Sequence, residues 1–169
     1  LGYFTVFNMV YPFESGAYDQ EIGSVSKPIR SQFGYHLIKT IDKRPASGTV
    51  RVRQIFFAAG EKAKLAEKQR AERSAQEIYT RLQNGEEFGA LVSFSEDRKT
   101  KDRGGEMPAF GLNKMMPSFE NAAFALEEPG DFSAPIQTNI GWHVIQLIEK
   151  KPLPDFESLE KEIKSKVKR

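Results

Sequence analysis

Between residues 49 and 58 apolar and polar positions alternate, and Val50, Val52, Ile55 and Phe57 supply the β-branched and aromatic side chains of a half-buried strand. Gly60 interrupts that run. Over residues 61–83 the period lengthens: Ala71, Ala75, Ile78 and Leu82 fall on one face with charges opposite, which predicts a helix ending at Asn84-Gly85. A shorter helix over 86–94 would bury Phe88, Leu91 and Val92, the polar run 95–103 reads as a loop, and 104–110 as a strand. Pro117 opens a third helix, at a position where a missing N–H costs nothing, and Pro129-Gly130 is a turn. Residues 133–138 and 142–149 complete the set as strands joined tightly through 139–141. The order β-α-α-β-α-β-β predicts an α+β domain, a four-stranded, mostly antiparallel sheet with packed helices. Beyond a linker at 150–154, Asp155 is a plausible N-cap for a last helix whose stripe is Phe156, Leu159, Ile163 and Val167.

Part of this pattern occurs twice. Phe4, Met9, Phe13, Glu14 and Tyr18 fall on Phe110, Met115, Phe119, Glu120 and Phe124 at an offset of 106. After a gap of one residue, Gly23, Ser26, Pro28, Ile29, Gly34, His36 and Pro45 fall on Gly130, Ser133, Pro135, Ile136, Gly141, His143 and Pro152 at 107. Matched aromatic, Gly, Pro and His positions with a single gap point to a duplicated domain. The expected organisation is a truncated first copy over 1–48, a complete copy over 49–154 and an amphipathic helix over 155–169.

Composition narrows the chemistry. Charges number 25 Lys+Arg against 23 Asp+Glu and are interleaved, so no basic groove for nucleic acid stands out. No apolar run is long enough to span a bilayer, and stable membrane insertion is not expected. The absence of cysteine excludes disulfides, zinc thiolates and thiol nucleophiles. The two histidines lie one per repeat at equivalent positions, so neither repeat assembles a multi-His metal site. No phosphate loop follows a strand and no Gly-x-Ser-x-Gly elbow is present, so no cofactor or metal is expected.

What remains is an apolar cluster with one histidine. Such a surface suits a reaction that breaks no bond, rotation about an X–Pro peptide. Its barrier of about 18–20 kcal/mol arises from lost amide resonance, and a dry socket with hydrogen bonds favouring the twisted amide can lower it. Phe94-Ser-Glu-Asp97, Arg103-Gly-Gly, Phe110, Met115, Phe119-Glu-Asn-Ala-Ala-Phe-Ala-Leu126, Ser133-Ala-Pro-Ile136 and Thr138-Asn-Ile-Gly-Trp-His-Val-Ile145 together resemble a parvulin-type peptidyl-prolyl cis/trans isomerase domain. The first copy resembles the back half of the same domain. Tandem copies resemble the periplasmic folding chaperones of Gram-negative bacteria that escort outer-membrane proteins.

The resemblance implies a catalytic group of His143, Asp97, Gln54 and Thr138, and a proline-holding group of Met107, Phe110, Met115 and Phe119. Met9, Phe13 and His36 are the first-copy equivalents. It also implies a periplasmic location and, as partners, proline-containing unfolded polypeptides, outer-membrane protein precursors among them. Gln54 stands where the family has the first histidine of a buried pair, and Met107-Pro108 stands where it has Leu-Gly. Glutamine can donate and accept hydrogen bonds but is not an imidazole.

Each residue also has a structural reading. His143 would be a buried tie between strands, Met115 and Phe119 core, Asp97 a solvated turn residue, and Gln54 a strand residue with a buried partner or an outward side chain. The functional expectation is therefore an isomerase of unfolded or extended polypeptides within a folding factor. The alternative is a peptide-binding chaperone module that has kept the pocket and lost turnover.

Overall fold

The computed structural model describes residues 1–43, 45 and 47–167; Arg44, Ala46, Lys168, Arg169 and the side chains of Phe156, Glu162 and Lys166 lie outside the described residues. The chain divides into two compact units, Ser47–Pro152 and a second formed by Leu1–Ala46 with Leu153–Arg169. The second, smaller unit contains helix α1 (Tyr11–Asp19), opened by Pro12 in its first turn, and an antiparallel hairpin of β1 (Ile29–Ser31) and β2 (Gly34–His36).

The larger unit begins with β3 (Thr49–Ala58), whose alternation buries Val50 and Val52 on one face and Ile55 and Phe57 on the other. Helix α2 (Leu65–Gln83) starts later than its charges suggest. The Lys64 N–H donates to the Glu67 carboxylate at 2.7 Å and fixes the first turn there. It buries the predicted Ala71, Ala75, Ile78 and Leu82, and Gly85, with φ of +89°, turns the chain away. Helix α3 (Phe88–Leu91) runs on into a 3-10 turn at Val92–Phe94. The polar run read as a loop contains a single helical turn, α4 (Arg98–Lys101), capped by the Asp97 side chain. Four residues are too few for an apolar period to show. Helix α5 (Pro117–Ala125), β4 (Ile136–Gln137) and the long β5 (Gly141–Lys151) complete the unit.

The strands order as β3–β5–β4, all antiparallel, with a bulge in the β3–β5 register between Arg51 and Val52. Residues 104–110, predicted as the fourth strand, run antiparallel beside β3 and meet it at two bridges, Arg53 with Glu106 and Val50 with Phe110. Pro108 has no N–H to give a continuous ladder, and the neighbouring Met107 N–H donates to the Val52 carbonyl at 3.0 Å instead. The sheet separates two cores. On one face α2 and α3 pack with Ile55, Phe57 and Val144; on the other Phe119, Ala123 and Leu126 pack with Val50, Val52, Ile145 and Leu147. Strand period two puts Gln54 and His143 on the α5 face.

The paired positions of the repeat hold the same interactions in both units. Ser133 exchanges bonds with Ile145 (N–H to carbonyl 2.9 Å, Ile145 N–H to the hydroxyl 3.2 Å), as Ser26 does with Ile38 at 2.8 and 3.0 Å. The Lys150 ammonium caps α5 at the Phe124 carbonyl, and that of Lys43 meets the Tyr18 carbonyl at the end of α1. The units differ at one edge. Val144 is fully buried where β3 pairs with β5, whereas Leu37, at the matching place just after β2, is 69% exposed. Helix α6 (Phe156–Val167) is capped as expected, the Ser158 N–H donating to Asp155 at 2.9 Å. Of its predicted stripe, Leu159 and Ile163 are half-buried and Val167 exposed; the Phe156 side chain is outside the described residues.

Replacing Ser133 by Ala removes the acceptor of the buried Ile145 N–H. It is expected to destabilise the protein by about 1–3 kcal/mol, read as a lower urea midpoint at unchanged m-value, while Ser133→Thr recovers most of the loss.

Candidate functional site

Four polar residues predicted from separate parts of the sequence meet in one hydrogen-bonded chain. Gln54 projects from β3 and is 8% exposed. Its amide nitrogen donates to Asp97 Oδ2 at 2.8 Å, and its amide oxygen lies 3.0 Å from His143 Nδ1. His143 projects from β5, and its Nε2 lies 2.9 Å from the Thr138 hydroxyl in the β4–β5 connection. Asp97 closes the chain from the N-cap of α4.

The direction of every bond follows from one end. A carboxylate accepts only, so the Gln54 NH₂ faces Asp97 and its oxygen faces the imidazole. His143 must then carry a proton on Nδ1, and with the ring neutral Nε2 accepts the one Thr138 hydroxyl proton in competition with the Gly141 carbonyl 3.1 Å from that hydroxyl. This is the neutral tautomer. Burial lowers the His143 pKa from 6.5 to about 4, with the Asp97 charge opposing part of that shift. Partial burial raises the Asp97 pKa. Hydrogen bonds from the Thr100 hydroxyl (2.6 Å), the Lys99 N–H (3.0 Å) and Gln54, with the Lys99 charge, outweigh it and hold the carboxyl below its usual range. Near neutral pH the chain therefore reads Thr138 hydroxyl, neutral imidazole, amide, carboxylate.

The backbone behind Gln54 has little freedom. Gly105, with φ of +79°, lies so close that a Cβ there would sit 2.5 Å from the Gln54 carbonyl oxygen, and the Gln54 N–H donates to the Gly105 carbonyl at 2.9 Å. Gly105 is thus the close-packing residue against β3, whereas a Cβ at Gly104 would meet nothing within 4 Å.

Apolar groups border this chain. The Phe119 ring presents its edge to His143, with centroids 5.3 Å apart at 79°, and Phe110 lies 6.0 Å from Phe119. Met107 and Met115 are half-buried against the same cluster. Phe119 itself is 2% exposed, and the half-buried Met107, Met115, Met116 and Phe124 carry the accessible apolar surface of this cluster. Met9, Phe13 and His36 belong to the smaller unit and are not part of this group. There, Phe13 stands edge-on to His36 at 5.3 Å and 90°, and the Ser31 hydroxyl lies 2.6 Å from His36 Nε2.

Three contributors escaped sequence reasoning. Phe56, opposite His143 in the register, lays its ring 4.7 Å from the imidazole at 37°. Buried Thr100 donates to Asp97, and buried Ser95 accepts from the N–H groups of Phe56 (3.1 Å) and Asp97 (3.2 Å). Asp97 followed three residues later by Thr was the available signal, hidden inside a polar run. Among the described residues no group of three or more His, Asp or Glu could hold a metal ion, and no helix is long and apolar enough to cross a membrane.

The rotamase family, PPIC-type PPIASE domain, matches residues 1–42 and 55–149. The chain belongs to this peptidyl-prolyl isomerase family. It is 42% identical over 95 residues to foldase protein PrsA 2 of Listeria monocytogenes, covering 56% of this chain and 32% of the relative. It is 37% identical over 137 residues to chaperone SurA of Chromohalobacter salexigens, covering 76% and 31%. The chain thus spans about a third of the length of these curated relatives. Among solved structures, peptidylprolyl isomerase PrsA from Bacillus cereus matches with a TM-score of 0.56 at 32% identity, over 73% of this chain and 44% of that one. The fold is the α+β isomerase fold of the parvulins, as the motifs implied.

The burial of His143 carries a pH signature. The unfolded chain takes up the imidazole proton near 6.5 and the folded protein only near 4, so between these values the unfolded state holds the extra proton. The stabilising contribution is complete above pH 6.5 and is lost on acidification towards 4, amounting to roughly 3 kcal/mol. Ring-proton NMR should place the His143 midpoint close to pH 4, with urea stability falling over the same interval; a midpoint above 6 would contradict the buried neutral tautomer.

Proposed function

We propose that the unit over 49–154 is a peptidyl-prolyl cis/trans isomerase acting on unfolded or extended polypeptides as part of a folding factor. The observation that carries this reading is the chain Asp97–Gln54–His143–Thr138 lying against an apolar group of Phe119, Phe110, Met107 and Met115. In it the substrate proline ring enters between the Met107 and Met115 side chains and rests on Phe119. Methionine suits this, being unbranched and able to reshape around varied neighbours. Removing water from the X–Pro amide disfavours its planar, more polar form relative to the twisted one, in which the nitrogen lone pair is localised.

The polar chain supplies orientation. Its imidazole is neutral, so catalysis proceeds through placed dipoles and hydrogen bonds, without a proton transferred to or from the substrate. Gln54 keeps one amide N–H beyond that given to Asp97, available to the twisting peptide.

Relatives named foldase and chaperone support a role in protein folding. On that basis the partners are proline-containing unfolded polypeptides, outer-membrane protein precursors among them, met in the periplasm. Residues 1–48 are read as the last part of a first copy. The shared Ser–Ile bonds, the lysine caps and the Phe13–His36 pair support this. So does a groove lined by Tyr3, Phe4, Phe13, His36, Leu37 and Ile38, beside the hairpin position against which the larger unit packs β3. A second reading of the same pocket is peptide binding without turnover. The observation favouring it is the Gln54 amide, which occupies the space between His143 and Asp97 and makes both groups spectators of the substrate.

Exchange NMR on Ala-Pro and Phe-Pro peptides separates the two. Acceleration of cis/trans exchange by wild type is expected, reduced at least tenfold (about 1.4 kcal/mol) in Phe119→Ala and in the milder Met115→Ala. Line broadening without faster exchange, lost in the same variants, would establish binding alone; no effect of either kind on any peptide at high protein concentration would defeat both readings.

A further inference from the structure

The larger unit contains a buried carboxylate outside the polar chain just described. Glu120, in the first turn of α5, is buried, and among the described residues no cation pairs with it. Its Oε2 accepts instead from two backbone N–H groups, those of Lys114 at 3.2 Å and Met115 at 3.4 Å. A buried anion is costly, and here it is offset by these donors together with the positive end of α5. An apolar side chain could not accept from these N–H groups, so the acceptor oxygen matters for what it holds.

What it holds is a loop with a left-handed turn. Asn113, immediately before the two donors, has φ of +61°, a conformation asparagine adopts more readily than other residues with a Cβ. The smaller unit repeats the device. Glu14, at the matching position of α1, is buried and accepts from the Phe7 N–H at 2.8 Å, and Phe7, the counterpart of Asn113, has φ of +67°. In both units an acid in the first helical turn thus reaches back to the loop that contains a left-handed residue, to that residue's own N–H in the smaller unit and to the next two N–H groups in the larger.

We propose that Glu120 is a positioning residue of the proline socket: its carboxylate pins the loop bearing Met115, sets the gap between Met115 and Phe119, and so governs affinity for proline-containing peptide. The inference rests on the isomerase reading and adds a residue that does not touch the substrate. Because the loop contributes apolar contact to planar and twisted amide alike, its release weakens binding of both, which raises KM and spares kcat.

The test is exchange NMR at varied peptide concentration with wild type, Glu120→Ala, Glu120→Gln and Asn113→Pro. The last leaves Glu120 in place but cannot adopt positive φ, and it keeps the test open if Glu120→Ala fails to fold. Glu120→Ala and Asn113→Pro are expected to raise KM about tenfold with kcat within twofold, and Glu120→Gln, which retains an acceptor oxygen, to restore most of the loss. Faster amide hydrogen exchange at Lys114 and Met115 should accompany the rise. A lowered Tm with KM unchanged in the folded fraction would make Glu120 a helix cap only and overturn the proposal, as would a fall in kcat at constant KM. If wild type binds peptide without turnover, the dissociation constant replaces KM and the same comparison holds. If wild type neither binds nor accelerates, the isomerase reading fails first and the proposal falls with it.

Discussion

One side-chain amide carries the constraint on which the site depends. Gln54 must satisfy an imidazole at one end and a carboxylate at the other, and its two ends are chemically unlike. Because the carboxylate takes only donors, the amide has one permitted orientation, and through it the tautomer of His143 and the direction of the Thr138 hydroxyl are set. The cost of burying this polar chain is met because every member has a partner; among the described residues no buried side-chain nitrogen or oxygen lacks one. An imidazole in place of the amide would leave the proton positions negotiable. With glutamine they are fixed, and the chain behaves as a rigid set of dipoles.

The frame holding these dipoles was largely legible in the order of residues. Period two over Thr49–Ala58 and the spacing of Ala71, Ala75, Ile78 and Leu82 announce the strand and helix that build one core, and Pro117 announces the helix that builds the other. Matching positions around His36 and His143 announced the recurring hairpin. Short elements were not legible, because one turn such as Arg98–Lys101 has no room for a repeat. The edge at residues 104–110 was misjudged in extent, since a strand-like pattern says nothing of how proline divides a ladder into separate bridges.

Site residues were legible by type and not by arrangement. Asp97, Gln54, Thr138 and His143 are polar residues in or beside apolar stretches, which marks them as needing partners. Which partner each finds is decided by register: Phe56 opposite His143 and Gln54 opposite Ile145. A one-residue displacement would reassign every contact. Phe119 shows the opposite limit, since its spacing fits core and pocket equally and its burial places it in the core beside His143.

The close approach of Gly105 to Gln54 bears on how the chain finds this register. Only a residue without a Cβ fits against the Gln54 backbone there, and its neighbour Glu106 carries a full side chain. If the segment slid by one residue towards its N-terminal end, Glu106 would meet β3 where the space admits no carbon. That displacement is opposed sterically, while the opposite one would bring Gly104, also without a Cβ, to the same place. The contact that disfavours this one misalignment lies at the backbone of Gln54, so alignment of the edge segment and placement of the site amide are held at a single point.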